Sequence, residues 1–200
     1  MLVDEHHAVL RGDAASGAVF SRDLGHRYLL WRRWGGSHTH ARLFAVIGLN
    51  CSTADEEVLD PTVKRCANRA EASGYDGLVM LNLGSLRSTD PQGILGHVDD
   101  WHGGVPNDAA ISYGARAAAQ VVAAWGGPYQ PKALREAVEA RASAVLGALA
   151  EARITLHAFA LTQGGHPRHP LYLPYSAEPT PWRAGSHPRA GAAVAKRTRE

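Results

Sequence analysis

Leu43-Phe44-Ala45-Val46-Ile47-Gly48-Leu49-Asn50-Cys51-Ser52-Thr53-Ala54-Asp55-Glu56 is the segment that sets the architecture. Its first five residues form a continuous apolar run, as expected of a strand buried on both faces in a parallel sheet. Gly48 permits a sharp turn and lets a ligand approach the backbone. Ser52 or Thr53 can cap a helix that Asp55 and Glu56 begin. A strand ending in a polar turn at a helix start is where open α/β sheets bind ligands. Asn50 stands at that edge. Its neutral amide can hold a water or a ligand edge without adding charge, or it can satisfy loop backbone.

The same pattern recurs on both sides. Upstream, Tyr28-Leu29-Leu30-Trp31-Arg32-Arg33 reads as a strand at the sheet edge. There Arg32 and Arg33 either face water or meet phosphate. Downstream, Asp60-Pro61-Thr62 opens a helix with Pro in its first turn. Val63, Cys66, Ala67 and Ala70 follow at helical spacing, so Cys66 reads as a packing residue. Leu78-Val79-Met80-Leu81-Asn82-Leu83 is a second buried strand that ends near Arg87. A buried Asn82 must find partners, so it either ties a loop or reads a ligand.

Residues 92–108 form a long polar loop of the kind that covers sites. It holds His97, Asp99, Asp100, His102 and Asp108, which are ligand types. Their spacing matches no standard metal site, and no metal is expected. An Ala-rich helix over 109–120, a strand over 121–126, a helix over 131–152 and a strand over 154–161 complete the alternation. His157, in mid-strand, reads as an interior histidine. The last strand runs into Thr162-Gln163-Gly164-Gly165-His166-Pro167-Arg168-His169-Pro170-Leu171-Tyr172-Leu173.

Strands alternating with helices predict an α/β fold. The expected form is a three-layer α/β/α arrangement around a central, mainly four-stranded parallel sheet. The expected organisation is an N-terminal segment over 1–25, a single catalytic domain over 26–173, and a flexible Pro/Gly/basic tail over 174–200. All the polar motifs fall at carboxyl ends of strands, on one side of the sheet.

The chain has 200 residues, 45% hydrophobic and 20% charged, with a net charge of +2. That balance permits nucleic-acid binding without demanding it. Two cysteines with no Cys-x-x-Cys pair argue against a disulfide framework and a cysteine-rich zinc site. No apolar run approaches the ~20 residues of a membrane span, and residues 1–25 show no signal core. A cytoplasmic monomer with no membrane contact is the expectation.

The chemistry is narrowed by elimination. The sequence has no nucleophile elbow, no phosphate loop and no zinc-deaminase pattern. Paired carboxylates drawn from Asp55, Glu56 and Asp108 would suit glycoside hydrolysis, but nothing sets their separation. What remains is Asn50, Asn82, Arg87, His166, Arg168 and His169 among small residues. Amides and imidazoles can orient water and stabilise an anionic leaving group. Removing a nucleobase from its sugar needs those two functions.

Three motifs resemble a bacterial family of unassigned function over about residues 26–182. They are Ile-Gly-Leu-Asn-Cys-Ser-Thr-Ala-Asp-Glu, Leu-Val-Met-Leu-Asn-Leu-Gly-Ser-Leu-Arg-Ser-Thr-Asp-Pro and Gly-Gly-His-Pro-Arg-His-Pro-Leu-Tyr-Leu. That family usually has Pro where this chain has Cys51. In the same order, the motifs are also remotely similar to the uracil-DNA glycosylase superfamily. This second resemblance implies a uracil-DNA glycosylase-like fold and no cofactor. It implies a DNA partner presenting a flipped pyrimidine nucleotide.

Residue by residue, the resemblance implies that Asn50 orients the attacking water and Asn82 reads the base edge. His166 or His169 would stabilise the leaving base, because the His-Pro loop is one residue longer here. Arg168 would meet backbone phosphate, and Leu171 or Tyr172 would fill the gap in the base stack. Gly48, Leu49, Cys51, Ser52 and Arg87 would complete the substrate-binding wall. Arg32 and Arg33 would add DNA contacts. Asn50 is a weaker base than the Asp of other members, which implies slower or restricted hydrolysis. Ser52 stands where uracil-specific members carry a Tyr that blocks the pyrimidine C5 position. A C5-modified pyrimidine in phage or other foreign DNA is therefore the expected substrate. Two alternatives stay open: a hydrolase of free modified nucleosides or nucleotides, and a non-catalytic nucleic-acid-binding module.

Overall fold

Alternation along two adjacent strands sets the architecture in the computed structural model, which describes residues 5–35, 40–51, 60–88, 90–97 and 99–185. Strands β4 (Leu43–Cys51) and β5 (Gly77–Arg87) run parallel at the centre of one sheet. On one face, Phe44, Val46, Leu78 and Met80 pack against Val63, Cys66 and Ala70 of helix α1 (Pro61–Ala72). On the other, Ala45, Ile47, Leu49, Val79, Leu81 and Leu83 pack with two helices. These are α2 (Gly104–Ala117) and α3 (Lys132–Glu151). Helices thus cover both faces, as successive strand residues point to opposite sides. Each Val, Leu, Ile, Phe or Met among them contributes about 1.5–3 kcal/mol when fully buried.

The remaining strands are β1 (Val9–Gly12), β2 (Ser16–Phe20), β3 (Arg27–Arg33), β6 (Gln120–Ala123), β7 (Leu156–Ala158) and β8 (Thr180–Pro181). The order across the sheet is β1-β2-β3-β5-β4-β6-β7-β8. Four pairings are antiparallel and three are parallel. The α/β class and the helices on both faces agree with the sequence reading. The expectation of a mainly four-stranded parallel sheet is corrected to a mixed, eight-stranded one.

The physical reason is edge satisfaction. An uncovered β5 edge would leave a row of unpaired backbone groups. Strand β3 pairs there antiparallel, with Leu30 opposite Met80, and β2 and β1 extend it. So β3 is interior rather than an edge strand. At the other end β8 covers β7, and Trp182 packs edge-on against Trp125 with ring centroids 5.5 Å apart. The folded unit therefore extends past 26–173 in both directions.

The expected cap at Ser52 or Thr53 lies outside the described residues. The helix expected to open at Asp60-Pro61-Thr62 is α1, capped by Asp60, whose Oδ1 accepts from the Val63 N–H at 2.7 Å. The described residues of the 92–108 segment are more ordered than the polar loop expected there. They form a 3-10 turn over Pro91–His97, bury Ile94 and Trp101 in the core, and enter α2 at Gly104.

Helix α1 is fastened to the segment that follows β7. Arg69, only 4% exposed, donates to the carbonyls of Leu173 at 2.9 Å, Pro174 at 2.7 Å, Tyr175 at 3.3 Å and Ala177 at 3.2 Å. Its guanidinium also lies 4.7 Å from the Phe159 ring centroid. Arg65 donates to Pro170 O at 3.1 Å and to Leu173 O. These bonds fix where residues 168–172 sit against the sheet. Hydrogen bonds from a charged donor contribute roughly 1.5–3 kcal/mol each, not additively. Arg69→Gln is expected to lose about 3 kcal/mol or more in urea unfolding. Hydrogen exchange at residues 170–177 should rise more than at β4 and β5.

Candidate functional site

A cavity of about 540 Å³ opens at the carboxyl ends of the parallel strands. Its position follows from strand order. The chain runs from β4 to β5 on one side and then crosses back to β6 on the other. Loops after β4 and β6 therefore diverge, and open α/β sheets bind ligands in the crevice this leaves.

Alternation brings the two asparagines together. Gly48 and Asn50 continue the series Phe44, Val46 on the α1 face of β4, and Asn82 continues Leu78, Met80 on β5. Gly48 and Asn82 are register partners. A β-carbon at Gly48 would lie 2.8 Å from the Asn82 amide, so glycine makes the space that amide occupies. Asn82 is 3% exposed, and its amide nitrogen donates to Leu81 O at 3.1 Å and Asn50 O at 3.2 Å. An amide has two N–H donors, so Oδ1 is the group Asn82 can offer a ligand. Asn50 Nδ2 donates to Ser88 O, which likewise leaves its Oδ1 as an acceptor. Each amide thus ties a loop and lines the cavity.

Backbone support for Asn82 comes from the opposite face. The β3 ladder stops at Leu30↔Met80, and the next pairing on that side is the bridge His26↔Leu86. Side chains fill the interval. Asn107, fully buried, donates to the carbonyls of Asn82 and Leu83, both at 3.2 Å. Arg141 Nε donates to Leu83 O at 2.8 Å, and its Nη1 pairs with Asp108 at 2.6 Å. Neither residue carried a sequence signal, because each sits among ordinary helix positions.

The loop after β6 forms another wall. Gly126 and Gly127 have φ of 83° and 118°, values that side chains disfavour. They bring Tyr129 to the cavity, where its hydroxyl donates to Trp125 O. Burial pushes the Tyr129 phenol up to about 12, so it stays protonated.

The loop after β7 separates the two candidate imidazoles. Residues 161–168 close on themselves, with Thr162 N–H donating to His166 O at 2.8 Å and a bridge between Leu161 and Pro167. The His166 ring packs behind Gly127 and Gly164 and lines a different hollow. His169 lines the cavity with Arg168, Leu171 and Tyr172. Its Nδ1 accepts from the Leu171 N–H at 3.3 Å, capping the 3-10 turn Pro170–Tyr172. That bond leaves Nε2 as the protonated nitrogen of the neutral ring. Burial holds His169 below the ordinary histidine range, against an opposing pull from Asp60.

The structure thus brings together Gly48, Leu49, Asn50, Asn82, Arg168, His169, Leu171 and Tyr172. It does not bring in the others. Cys51 is buried, donating Sγ–H to Ser85 O at 2.6 Å and Leu86 O at 3.2 Å. Arg87 turns away, 5.2 Å from the Phe20 centroid, with Nη1 donating to Leu24 O at 3.4 Å. Arg32 and Arg33 pair with Leu78 and Gly77, at the end of the sheet where β5 starts and the cavity is absent. Ser52, Asp55 and Glu56 lie outside the described residues. Two charged residues missed in the sequence also line the cavity: Arg27, 2% exposed, and Asp60. Arg27 precedes an apolar run like any strand arginine, and Asp60 reads as a helix cap. Among the described residues, no group of three or more His, Cys, Asp or Glu side chains converges as a metal site.

Two outcomes follow. Gly48→Ala is expected to displace the Asn82 amide and weaken ligand binding at the cavity more than it lowers stability. Isothermal titration and urea unfolding of the same protein check this. His169 and His26 are both depressed below 6.5, chiefly by burial. The unfolded chain then binds more protons between the folded and unfolded pKa values, so stability present above 6.5 is lost as pH falls. Urea unfolding of wild type and His169→Gln from neutral to acid pH should show a shallower loss in the variant.

No curated protein matches the chain, and no solved structure does. A family model described as "Protein of unknown function (DUF1643)" matches residues 27–171. The match takes in the lining residues of the cavity from Arg27 through Leu171, leaving out Tyr172, and the chain belongs to the DUF1643 family.

Proposed function

We propose that the protein is a DNA N-glycosylase-like hydrolase that removes a pyrimidine base and leaves an abasic site. The supporting observation is that Asn50, Asn82 and His169, far apart in the chain, line one cavity of about 540 Å³. That size is in the range of small-molecule sites. In this reading Asn50 Oδ1 orients the attacking water. Asn82 Oδ1 accepts an N–H from the base edge. The neutral His169 donates its Nε2–H to the oxygen on which negative charge collects as the base departs. Such a donor typically contributes 10²–10³ in rate, about 2.7–4 kcal/mol. Arg27 adds positive charge to the wall, which favours an anionic leaving group. Met80 and Val63 supply apolar surface.

Features at the mouth favour a polymer over a free nucleoside. Tyr172 is 75% exposed beside Leu171 and Arg168, an aromatic side chain held out in solvent next to a cation. Arg168 would meet phosphate, and Leu171 or Tyr172 would fill the gap left in the stack. Kinship with the uracil-DNA glycosylase superfamily is part of the proposal. It is supported by the motif order and by the run of parallel pairings β5-β4-β6-β7. The preference for a C5-modified base rests on the small Ser52.

The test is base excision from oligonucleotides bearing uracil, mismatched thymine or 5-modified cytosines, read as strand breaks after alkali. The expected result is cleavage of at least one substrate, with His169→Ala slower by about 10²-fold or more. Binding should weaken steeply with salt. No cleavage by wild type on any substrate overturns the reading. Salt-insensitive hydrolysis of free modified nucleosides would replace DNA as the substrate. DNA binding that Asn50→Ala leaves intact, without excision, would indicate a binding module.

A further inference from the structure

We infer that Asp60 accepts the proton of the attacking water, with Asn50 confined to holding that water in place. The inference rests on the hydrolase reading above and assigns a catalytic residue that reading leaves open.

The need arises from the balance of the reaction. The water oxygen bonds to the sugar C1′, the C1′–N bond breaks, and its electron pair leaves with the base. One water proton must then be taken up. An amide cannot take it: Asn50 offers a carbonyl oxygen of negligible basicity, and its nitrogen is tied to Ser88 O. His169 is committed as a donor, since its Nδ1 already accepts from Leu171 N–H. Asn82 is a second amide, and Arg27 and Arg168 are cations. Tyr129 keeps its proton. The hydroxyls of Thr62, Ser88 and Thr162 are not bases at neutral pH.

Asp60 is the one carboxylate among the described residues that line the cavity. Its geometry suits the task. Oδ1 caps α1 by accepting from Val63 N–H at 2.7 Å, which orients the carboxylate. A carboxylate has about four lone-pair sites, more than the one the capping bond takes up. It is near enough to His169 for its charge to act on that ring. The proton passes to Asp60 directly or through one water, and then to the departed base or to solvent. The products are the neutral base and an abasic sugar with a hydroxyl on C1′. Among the described residues, the charged and titratable groups about Asp60 include Arg27, Tyr129, Arg168 and His169 of the cavity lining, and Arg65 and Cys66 of α1.

The cap offers a conservative substitution. Asn and Asp cap helices equally well, so Asp60→Asn keeps the bond to Val63 N–H while removing the carboxylate charge. Single-turnover excision should fall about 10²-fold or more, within the usual range for a general base. Thermal unfolding and binding to an abasic oligonucleotide should be unchanged. The acid limb of the rate profile should disappear. Because His169 titrates in the same cavity, the profile is also taken in the His169→Gln background. Asp60→Asn that keeps most of the rate with its acid limb overturns the inference. So does a loss of rate matched by an equal loss of abasic-DNA affinity, or loss of the limb in Asp55→Asn or Glu56→Gln instead. Wild-type inactivity on every substrate overturns the hydrolase reading itself, and this inference with it.

Discussion

The site depends on a missing side chain. Strands β4 and β5 lie side by side in parallel register, with Gly48 opposite Asn82. Any β-carbon at position 48 would press on the Asn82 amide. With glycine there, that amide bends over the neighbouring strand and bonds to the Asn50 carbonyl. One hydrogen bond thus joins the two strand ends that carry the candidate chemistry. It costs no apolar packing, since both residues lie just beyond the last core layer formed by Val46 and Met80 on that face.

Around that pair, carbonyl groups left over by the sheet are taken up by long side chains. Asn107 and Arg141 serve the Asn82–Leu83 backbone from one face. Arg65 and Arg69 serve residues 170–177 from the other. A buried carbonyl without a partner costs about 1–3 kcal/mol, so these arginines and asparagines stabilise irregular backbone that regular pairing does not reach. The result is a site built from loops yet held from both faces by helices. The arrangement suits chemistry that needs acceptors fixed before the substrate arrives.

Much of this was legible in the residues, and the limits have physical causes. The apolar runs at 43–47, 78–81 and 121–123 marked the parallel strands, because burial on both faces leaves no polar alternation to confuse the period. Asn50 and Asn82 stood out as amides ending such runs. Strands β1, β2 and β8 were missed, since short antiparallel segments with Gly, Ser and Pro resemble loops until a partner strand supplies the pairing. Arg32 and Arg33 fall at the end of the sheet away from the cavity, and composition does not say which end of a strand reaches the site. His166 and His169 differ only in which side of one turn they occupy, and that is decided by the Leu161–Pro167 bridge. Asp60 was hidden by its second role as a helix cap.

The walls of the cavity come from β3, the end of β4, the start of α1, the end of β5 and the loops after β6 and β7. No contiguous fragment of the chain contains a usable part of them. Parallel pairing already makes the ends of the chain wait for one another, because each crossover must close a long loop before it gains contacts. On the ribosome, where synthesis runs at roughly 5–20 residues per second, Asn50 and Asn82 emerge well before His169. The cavity is therefore closed only when residues 162–172 dock under the arginines of α1. A product that stops short of that loop would carry the first two motifs and lack one wall of the cavity.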